Sequence, residues 1–345
     1  MIVKNEEDVL ARCLNCVKDV VDEIVIVDTG STDCTKAIAL EFTDYVYDFK
    51  WLDDFSKARN FSFSKASKDY ILWLDADDVI DEENIQKIKE LKQKVGSDVV
   101  MMKYQVSEDM VFYRERLLKR TKNFQWIYPV HEVLEIDGCI EYADITITHQ
   151  KEKVNDSKRN LKIYERCLKE NKTLDTREIF YYARELYDQG YYQKAIDFFE
   201  TFLNQEDAWV ENCIEACLNL SHCYLEFNDE KKALSCLFDS FVYDLPRSEI
   251  LCEIGYFYFI HGQYEVAIFW YKLALNNKID IQKGGFVRQD CYRFIPYIQL
   301  CVCYDRLGDI KRAKKYNDLA GEIKPKDSAY LHNCQYFHEK NMTQI

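Results

Sequence analysis

Four times along its second half the chain repeats the same kinds of residue in the same register, and this period constrains the fold more than any other feature. The anchors are Ala195, Ala233, Ala267 and Ala313, each inside a short polar-apolar helix start such as Tyr192-Gln193-Lys194-Ala195. Twelve residues before each stands a small residue: Ala183, Ser221, Gly255 or Cys301. Nine before stands Leu186, Tyr224, Tyr258 or Tyr304, and five before stands Gly190, Asn228, Gly262 or Gly308. Small residues let two helices approach, and Gly or Asn suits a turn that needs a permissive backbone. The alanines lie 38, 34 and 46 residues apart by subtraction of their positions. Against a unit of about 34 residues, the third interval carries an insertion of about twelve. It falls near Ile279 to Gln289, with Gly284-Gly285, and is expected to form a loop of the kind that often carries partner contacts.

In this register the chain resembles tetratricopeptide repeat proteins across roughly residues 177 to 325. With only 10 Gly and 4 Pro in 345 residues, long helices are favoured over loop-rich architectures. Most of Tyr181, Tyr182, Tyr224, Tyr256, Tyr258, Tyr271 and Tyr304 are expected in the core, with a minority facing a concave groove. The resemblance implies that the repeats hold a protein or peptide partner, or mediate self-association to a homo-oligomer.

The first half alternates between two hydrophobic periods, as strands and helices of an α/β unit do. Residues 6 to 19 place Val9, Leu10, Cys13, Leu14 and Val17 at helical spacing, and Glu23 to Asp28 is a β-branched run closed by Thr29-Gly30-Ser31. Ser31 or Thr32 is the expected N-cap of a helix from about Asp33 to Phe42. A weaker strand at Tyr45 to Tyr47, a helix from Phe55 to Ala66, an apolar run Tyr70 to Leu74 and a helix from about Asp81 to Lys94 follow. Strand-like stretches at 98 to 105, 110 to 118, 126 to 135 and 140 to 148 are expected to add strands and a hairpin to a parallel core.

Composition excludes several classes. A formal charge of −14, with no long basic run, argues against nucleic acid as the main partner. The 14 Cys lie scattered in apolar stretches, without zinc spacing, and read as buried thiols in a reducing, cytoplasmic setting. Met1 to Glu7 turns acidic at once, unlike a signal peptide. No stretch approaches the roughly 20 apolar residues of a membrane span.

The chemistry is expected where the apolar run stops at Asp75-Ala76-Asp77-Asp78. Side chains two apart on an extended backbone share a side, so Asp75 and Asp77 would converge at a strand's carboxyl end, where open α/β sheets hold ligands. Two hard oxygen ligands suit Mg²⁺ or Mn²⁺ bridging to substrate phosphates. Alone, this pair reads rather as a polar turn before an acidic helix start, continued by Asp78, Asp81, Glu82 and Glu83.

Order adds to it: Ile2-Val3-Lys4-Asn5-Glu6-Glu7, then Ile26-Val27-Asp28-Thr29-Gly30-Ser31-Thr32-Asp33, then Trp51 to Asn60 with Lys57-Ala58-Arg59-Asn60, then Trp73-Leu74-Asp75-Ala76-Asp77-Asp78. Trp126-Ile127-Tyr128-Pro129-Val130-His131-Glu132 and a strand ending in His149 follow. Together these closely resemble family 2 glycosyltransferases of the GT-A fold, within them members with C-terminal tetratricopeptide repeats such as the sublancin-type S-glycosyltransferase group. The resemblance implies a Rossmann-like, nucleotide-sugar-binding α/β GT-A domain over residues 1–152, a linker helix over 153–176, and an all-α tetratricopeptide-like domain of about four repeats over 177–345.

It further implies that Val3, Asn5, Glu6, Asp28, Thr29 and Gly30 border the base and ribose of a nucleotide sugar, a uridine diphosphate sugar first of all. Arg59 would approach the diphosphate or the base. Asp75, Ala76 and Asp77 match the family's Asp-x-Asp, with Asp77 the first choice for direct metal ligation and Asp75 and His149 completing the metal set. A family 2 enzyme inverts the anomeric centre, so a base must take the acceptor's proton; Glu132 is the candidate, with His131 beside it. Against Asp28 stands a turn-capping role, against Arg59 a surface Arg on an amphipathic helix, against the His131-Glu132 pair a solvated or capping pair on a strand, and against His149 a strand-end role. One departure stands out. Only Met1-Ile2-Val3 precede Lys4-Asn5-Glu6, where relatives carry a fuller first strand, so either this strand is short or the recorded start lies inside the true one. The competing expectation is a non-catalytic tetratricopeptide scaffold with a silent sugar-nucleotide domain.

Overall fold

The computed structural model describes residues 1–151 and 158–342, so residues 153–157 of the expected linker helix and 343–345 of the expected repeat domain lie outside the described residues. The chain divides into two compact units, Met1–Glu185 and a second from Leu186 onward.

The first unit opens with β1 (Ile2–Val3), α1 (Leu10–Val17), β2 (Ile26–Asp28), α2 (Thr35–Phe42), β3 (Val46–Asp48) and α3 (Phe55–Lys65). Leu10, Cys13, Leu14 and Val17 are the buried face of α1, at the i, i+3, i+4, i+7 spacing read from the sequence. β1, β2 and β3 form a parallel sheet in that order. The second group comprises β4 (Tyr70–Leu72), β5 (Asp78–Val79), α4 (Glu82–Lys94), β6 (Val99–Gln105), β7 (Val111–Lys119), β8 (Trp126–Ile127), β9 (Val133–Leu134) and β10 (Ile140–His149). Here β4-β7-β6-β10-β5 build a mixed sheet and β8-β9 a separate antiparallel pair. Thus the later strands assemble a second sheet of their own, because the antiparallel β6-β7 hairpin pairs with β4 and β10 and not with the parallel set. α5 (Arg159–Lys169) and α6 (Thr176–Asp188) follow, and the unit ends within α6.

One local expectation changes. The N-cap position of α2 is Cys34, and Asp33, not Ser31 or Thr32, caps the turn: its carboxylate accepts from the Thr35 N–H at 3.0 Å. Ser31 and Thr32 are drawn instead to Asn5, whose N–H donates to Ser31 Oγ at 2.9 Å and whose Oδ1 accepts from the Thr32 N–H at 2.8 Å.

The second unit contains α7 (Tyr192–Leu203), α8 (Val210–Glu226), α9 (Glu230–Asp239), α10 (Ser248–Ile260), α11 (Tyr264–Ala274), α12 (Phe294–Arg306), α13 (Ile310–Ile323) and α14 (Ser328–Met342). It is an all-α tetratricopeptide-like region, and its turns explain the register. Gly190, Asn228, Gly262 and Gly308 have φ of 74°, 57°, 71° and 80°, the left-handed conformation that ends a helix. In each turn the following N–H reaches back five residues: Tyr191 to Leu186, Asp229 to Tyr224, Gln263 to Tyr258 and Asp309 to Tyr304. Asp229 and Asp309 then cap the next helix, accepting from the Lys232 and Arg312 N–H groups. The anchor alanines are all fully buried, as are Tyr271 and Tyr304, while Tyr256 is half exposed. The insertion folds as two short 3-10 turns, Ile281–Lys283 and Gln289–Tyr292. Among the described residues no helix is long and apolar enough to cross a membrane, and no Cys is paired in a disulfide.

Candidate active site

The parallel register Val3↔Asp28 sets the ends of β1 and β2 side by side. The loops leaving them carry Asn5, Glu6, Thr29 and Gly30. Asn5 takes a left-handed φ of 57°, and Gly30 one of 103°. Asp28 is buried, and its carboxylate accepts from the Gly30 and Ser31 N–H groups at 3.2 and 3.0 Å. The turn-capping role of this residue is therefore realised. Thr29 donates from both N–H and Oγ1 to the Val3 carbonyl, and the Glu6 N–H donates to Thr35 Oγ1 at 2.6 Å. Thr35 carried no functional expectation, yet it secures this loop.

Arg59 lies on α3, whose start is fixed by Asp54 accepting from the Lys57 N–H. Its Nη2 meets Asp75 Oδ1 at 2.8 Å and its Nε meets Glu132 Oε1 at 2.6 Å, so one guanidinium ties together residues 16 and 73 positions away. The guanidinium sits 5.0 Å from the Trp73 ring centre and 4.9 Å from that of Trp126. Burial works against ionising Asp75, but Arg59, then Arg116, holds its carboxyl down at about 2. The surface role weighed for Arg59 does not hold.

Asp75 and Asp77 do not converge as alternating strand residues would. β4 ends at Leu72, and the Asp78 N–H bonds back to the Asp75 carbonyl at 3.1 Å, so Asp75 to Asp78 form a turn. That turn sends the Asp75 side chain to Arg59 and the Asp77 side chain to the end of β10. There Asp77, Asp78 and His149 each offer a ligand atom within 4.8 Å of the others. His149 Nδ1 is 3.3 Å from Asp77 Oδ1 and 3.9 Å from Asp78 Oδ1, with the Tyr104 hydroxyl 3.0 Å away. Hydrogen bonds to Asp77 and then Asp78 push the imidazole up to about 9. Two carboxylates and an imidazole make a donor set that fits Mn²⁺ or Mg²⁺. Ala76, between the two Asp, is buried in the apolar cluster around β1 and β2.

Asp78 had no role assigned from sequence. Its side chain is fully buried against Arg116, itself fully buried, with Nη1 and Oδ2 3.0 Å apart, and it accepts from the Asp75 N–H at 2.9 Å. The run Asp77-Asp78 was visible, but Arg116 stands 38 residues away with no local signal.

The ring of His131 does not join the Arg59, Asp75 and Glu132 group. With φ of 50° its ring turns to α6, where Nε2 meets Glu185 Oε1 at 2.7 Å and the ring stacks on Tyr181 at 4.3 Å. The structure thus brings Arg59, Asp75 and Glu132 into one group and Asp77, Asp78 and His149 into another, and leaves the His131 ring outside both.

A family model for glycosyl transferase family 2 matches residues 1–188. The chain is similar to a TPR repeat-containing protein, Synpcc7942_0270, of Synechococcus elongatus, with 36% identity over 138 residues, 39% of this chain and 34% of that protein. It is also similar to the SPbeta prophage-derived glycosyltransferase SunS of Bacillus subtilis, with 25% identity over 254 residues, 69% of this chain and 56% of that protein. The match therefore spans 34% of the length of the first relative and 56% of the second. A solved tetratricopeptide protein of Thermus thermophilus aligns at 20% identity and a TM-score of 0.37, over 51% of this chain and 88% of that one.

Proposed function

Since the chain belongs to glycosyl transferase family 2, we propose that its first unit moves a sugar, with inversion, from a nucleoside diphosphate donor to an acceptor side chain. The donor is a uridine diphosphate sugar, and the acceptor a protein or peptide held by the repeats, or else a surface glycan. The observation that carries this reading is Arg59 bridging Asp75 and Glu132. An arginine plane fixed beside two tryptophans that pack edge to face presents directed N–H groups to a diphosphate without the entropy cost of ordering a flexible side chain.

Asp77, Asp78 and His149 would hold Mn²⁺ or Mg²⁺. When bound, such an ion neutralises the diphosphate and stabilises the negative charge of the leaving group. Asp28, Asn5 and the Thr29-Gly30 loop border the nucleoside, where the ordered N–H groups around the Asp28 carboxylate keep the loop in one conformation. Glu132 takes the acceptor's proton as the acceptor attacks the anomeric carbon and the bond to the diphosphate breaks. A base so placed contributes roughly 10²–10⁴-fold in rate.

The test is donor hydrolysis and transfer with Mn²⁺ across uridine and guanosine diphosphate sugars. Metal-dependent turnover is expected for a uridine diphosphate sugar. Asp77→Ala should abolish metal-dependent donor binding while helical content is kept, and an Asp77→Ala enzyme with full activity would remove Asp77 from the metal set. Absence of both turnover and metal-dependent binding in the unmodified protein would leave the scaffold reading.

A further inference from the structure

Three residues beside the proposed site hold backbone conformations that non-glycine residues avoid. Asp53, Tyr128 and His131 have φ of 52°, 74° and 50°. Single left-handed residues of this kind are strained, so the two loops that carry them need outside support. Both loops are joined to one another, for the Phe55 N–H donates to the Pro129 carbonyl at 2.8 Å. Both are also gripped by the helices that close the first unit. Arg166 of α5 pairs with the Asp53 carboxylate and donates through Nη2 to the Leu52 and Asp53 carbonyls.

The grip of α6 on the second loop is denser. Arg177 Nη2 donates to the His131 carbonyl at 3.2 Å, and its guanidinium lies over the rings of Tyr128 and Tyr181. Burial, and after it the Asp175 carboxylate just ahead of α6, pushes the Tyr128 hydroxyl up to about 12. Glu185 Oε1 receives both His131 Nε2 and Asn160 Nδ2, at 2.7 and 2.9 Å. An ionised carboxylate only accepts, which places the imidazole proton on Nε2. Glu132 is the next residue along from His131, and it is the residue that meets Arg59.

We propose that Glu185, with Tyr181 and Arg177 of α6, is a positioning set for Glu132, acting through the His131 ring. His131 is then not a proton carrier in the reaction but the handle by which α6 fixes the loop. This rests on the sugar-transfer reading above only for its kinetic consequence, because the brace itself is a structural matter. The chemistry it serves first is the acceptor's deprotonation; the donor contacts at Asp28 and Asp77 lie on other elements, and Arg59 keeps its second partner, Asp75, when Glu132 shifts.

The experiment compares the full chain with Glu185→Ala and Glu185→Gln, the latter keeping an oxygen that accepts from His131 and Asn160. Hydrogen exchange is followed over residues 126–134, affinity for uridine diphosphate with Mn²⁺ by titration, and kcat for transfer. In Glu185→Ala, exchange in that segment should rise at least tenfold and kcat should fall by about tenfold to a hundredfold, the effect of misplacing a reacting group, with a much smaller change in nucleotide affinity because Arg59 keeps Asp75. Glu185→Gln should restore both. Unchanged exchange, unchanged kcat in an active protein, or a loss of nucleotide affinity as large as the loss of kcat would each overturn the proposal. If the unmodified protein transfers no sugar, it is the functional reading that fails, and the exchange data alone decide whether α6 braces the loop.

Discussion

The two units fill their interiors in opposite ways. The first buries charge: Arg116 and Asp78 are both at 0% side-chain exposure, and Arg59 stands between two carboxylates and two indoles. The second is filled by leucines, isoleucines and phenylalanines with small alanines and thiols between them. Burial pushes Cys217, Cys223 and Cys303 up to about 12, so they act as small apolar fillers without a reactive thiolate. Buried charge pairs stabilise poorly for what they cost to desolvate, whereas small apolar packing is efficient. A unit that keeps them is organised for a site; a unit that avoids them is organised for a stack.

The largest expected effect tests the first half of that contrast. Asp78→Ala strands Arg116 in the interior, where among the described residues its Nε and Nη2 already have no hydrogen-bond partner and its charge rests on the faces of Trp73 and Tyr104. Removing one partner of a buried pair costs about 3–5 kcal/mol. Urea unfolding should show an early transition for the first unit and an unshifted one for the repeats. The double replacement Asp78→Leu with Arg116→Met should recover most of the loss, since it removes both charges. An Asp78→Ala protein as stable as the parent would mean that this pair is not an organising feature of the unit.

The middle effect tests the second half. Gly255 occupies the small-residue position that Ala183, Ser221 and Cys301 fill elsewhere, yet a Cβ there would lie 2.9 Å from the ring of Tyr271. Tyr271 is fully buried and has nowhere to retreat. Gly255→Ala should therefore destabilise the repeats by about 1–3 kcal/mol, the range for overpacking a close-packed core, read as a lower midpoint of their transition. If the midpoint does not move, the α10–α11 contact is looser than the other hairpins.

This contrast also explains what could be read from the residues alone. In the repeats each signature residue acts on its near neighbours, through a left-handed turn at Gly190 or Asn228, a back-bond to the residue five before it, or a buried alanine. Local roles of this kind leave a period in the chain. In the first unit the order of the Asn-Glu, Asp-Thr-Gly, Ala-Arg-Asn and Asp-x-Asp segments pointed to the family, but not to where the side chains go. Asp75 and Asp77 part because of a turn closed by Asp78, and Asp78 is held by Arg116 from another strand. His131 sits next to Glu132, but its ring follows a left-handed backbone towards Glu185, 54 positions on. Pairings at such separations carry no sequence spacing from which to infer them.

The smallest expected effect lies at the exception within the repeats. Glu249, on α10, is buried, and burial pushes its carboxyl above the ordinary value although the Arg288 N–H donates to it at 2.7 Å. For a carboxyl raised in the folded state, the associated stability is fully present below the unfolded value and is lost as pH rises through the folded one. The repeats should therefore lose stability between mildly acidic and neutral pH on this account. Glu249→Gln keeps an oxygen for the Arg288 N–H and removes the titration. At pH 7 it should melt above the parent, and the gap should close near pH 4. A variant that melts lower at pH 7 would show that the ionised carboxylate is satisfied where it lies, and that the repeats too harbour a charge they are built around.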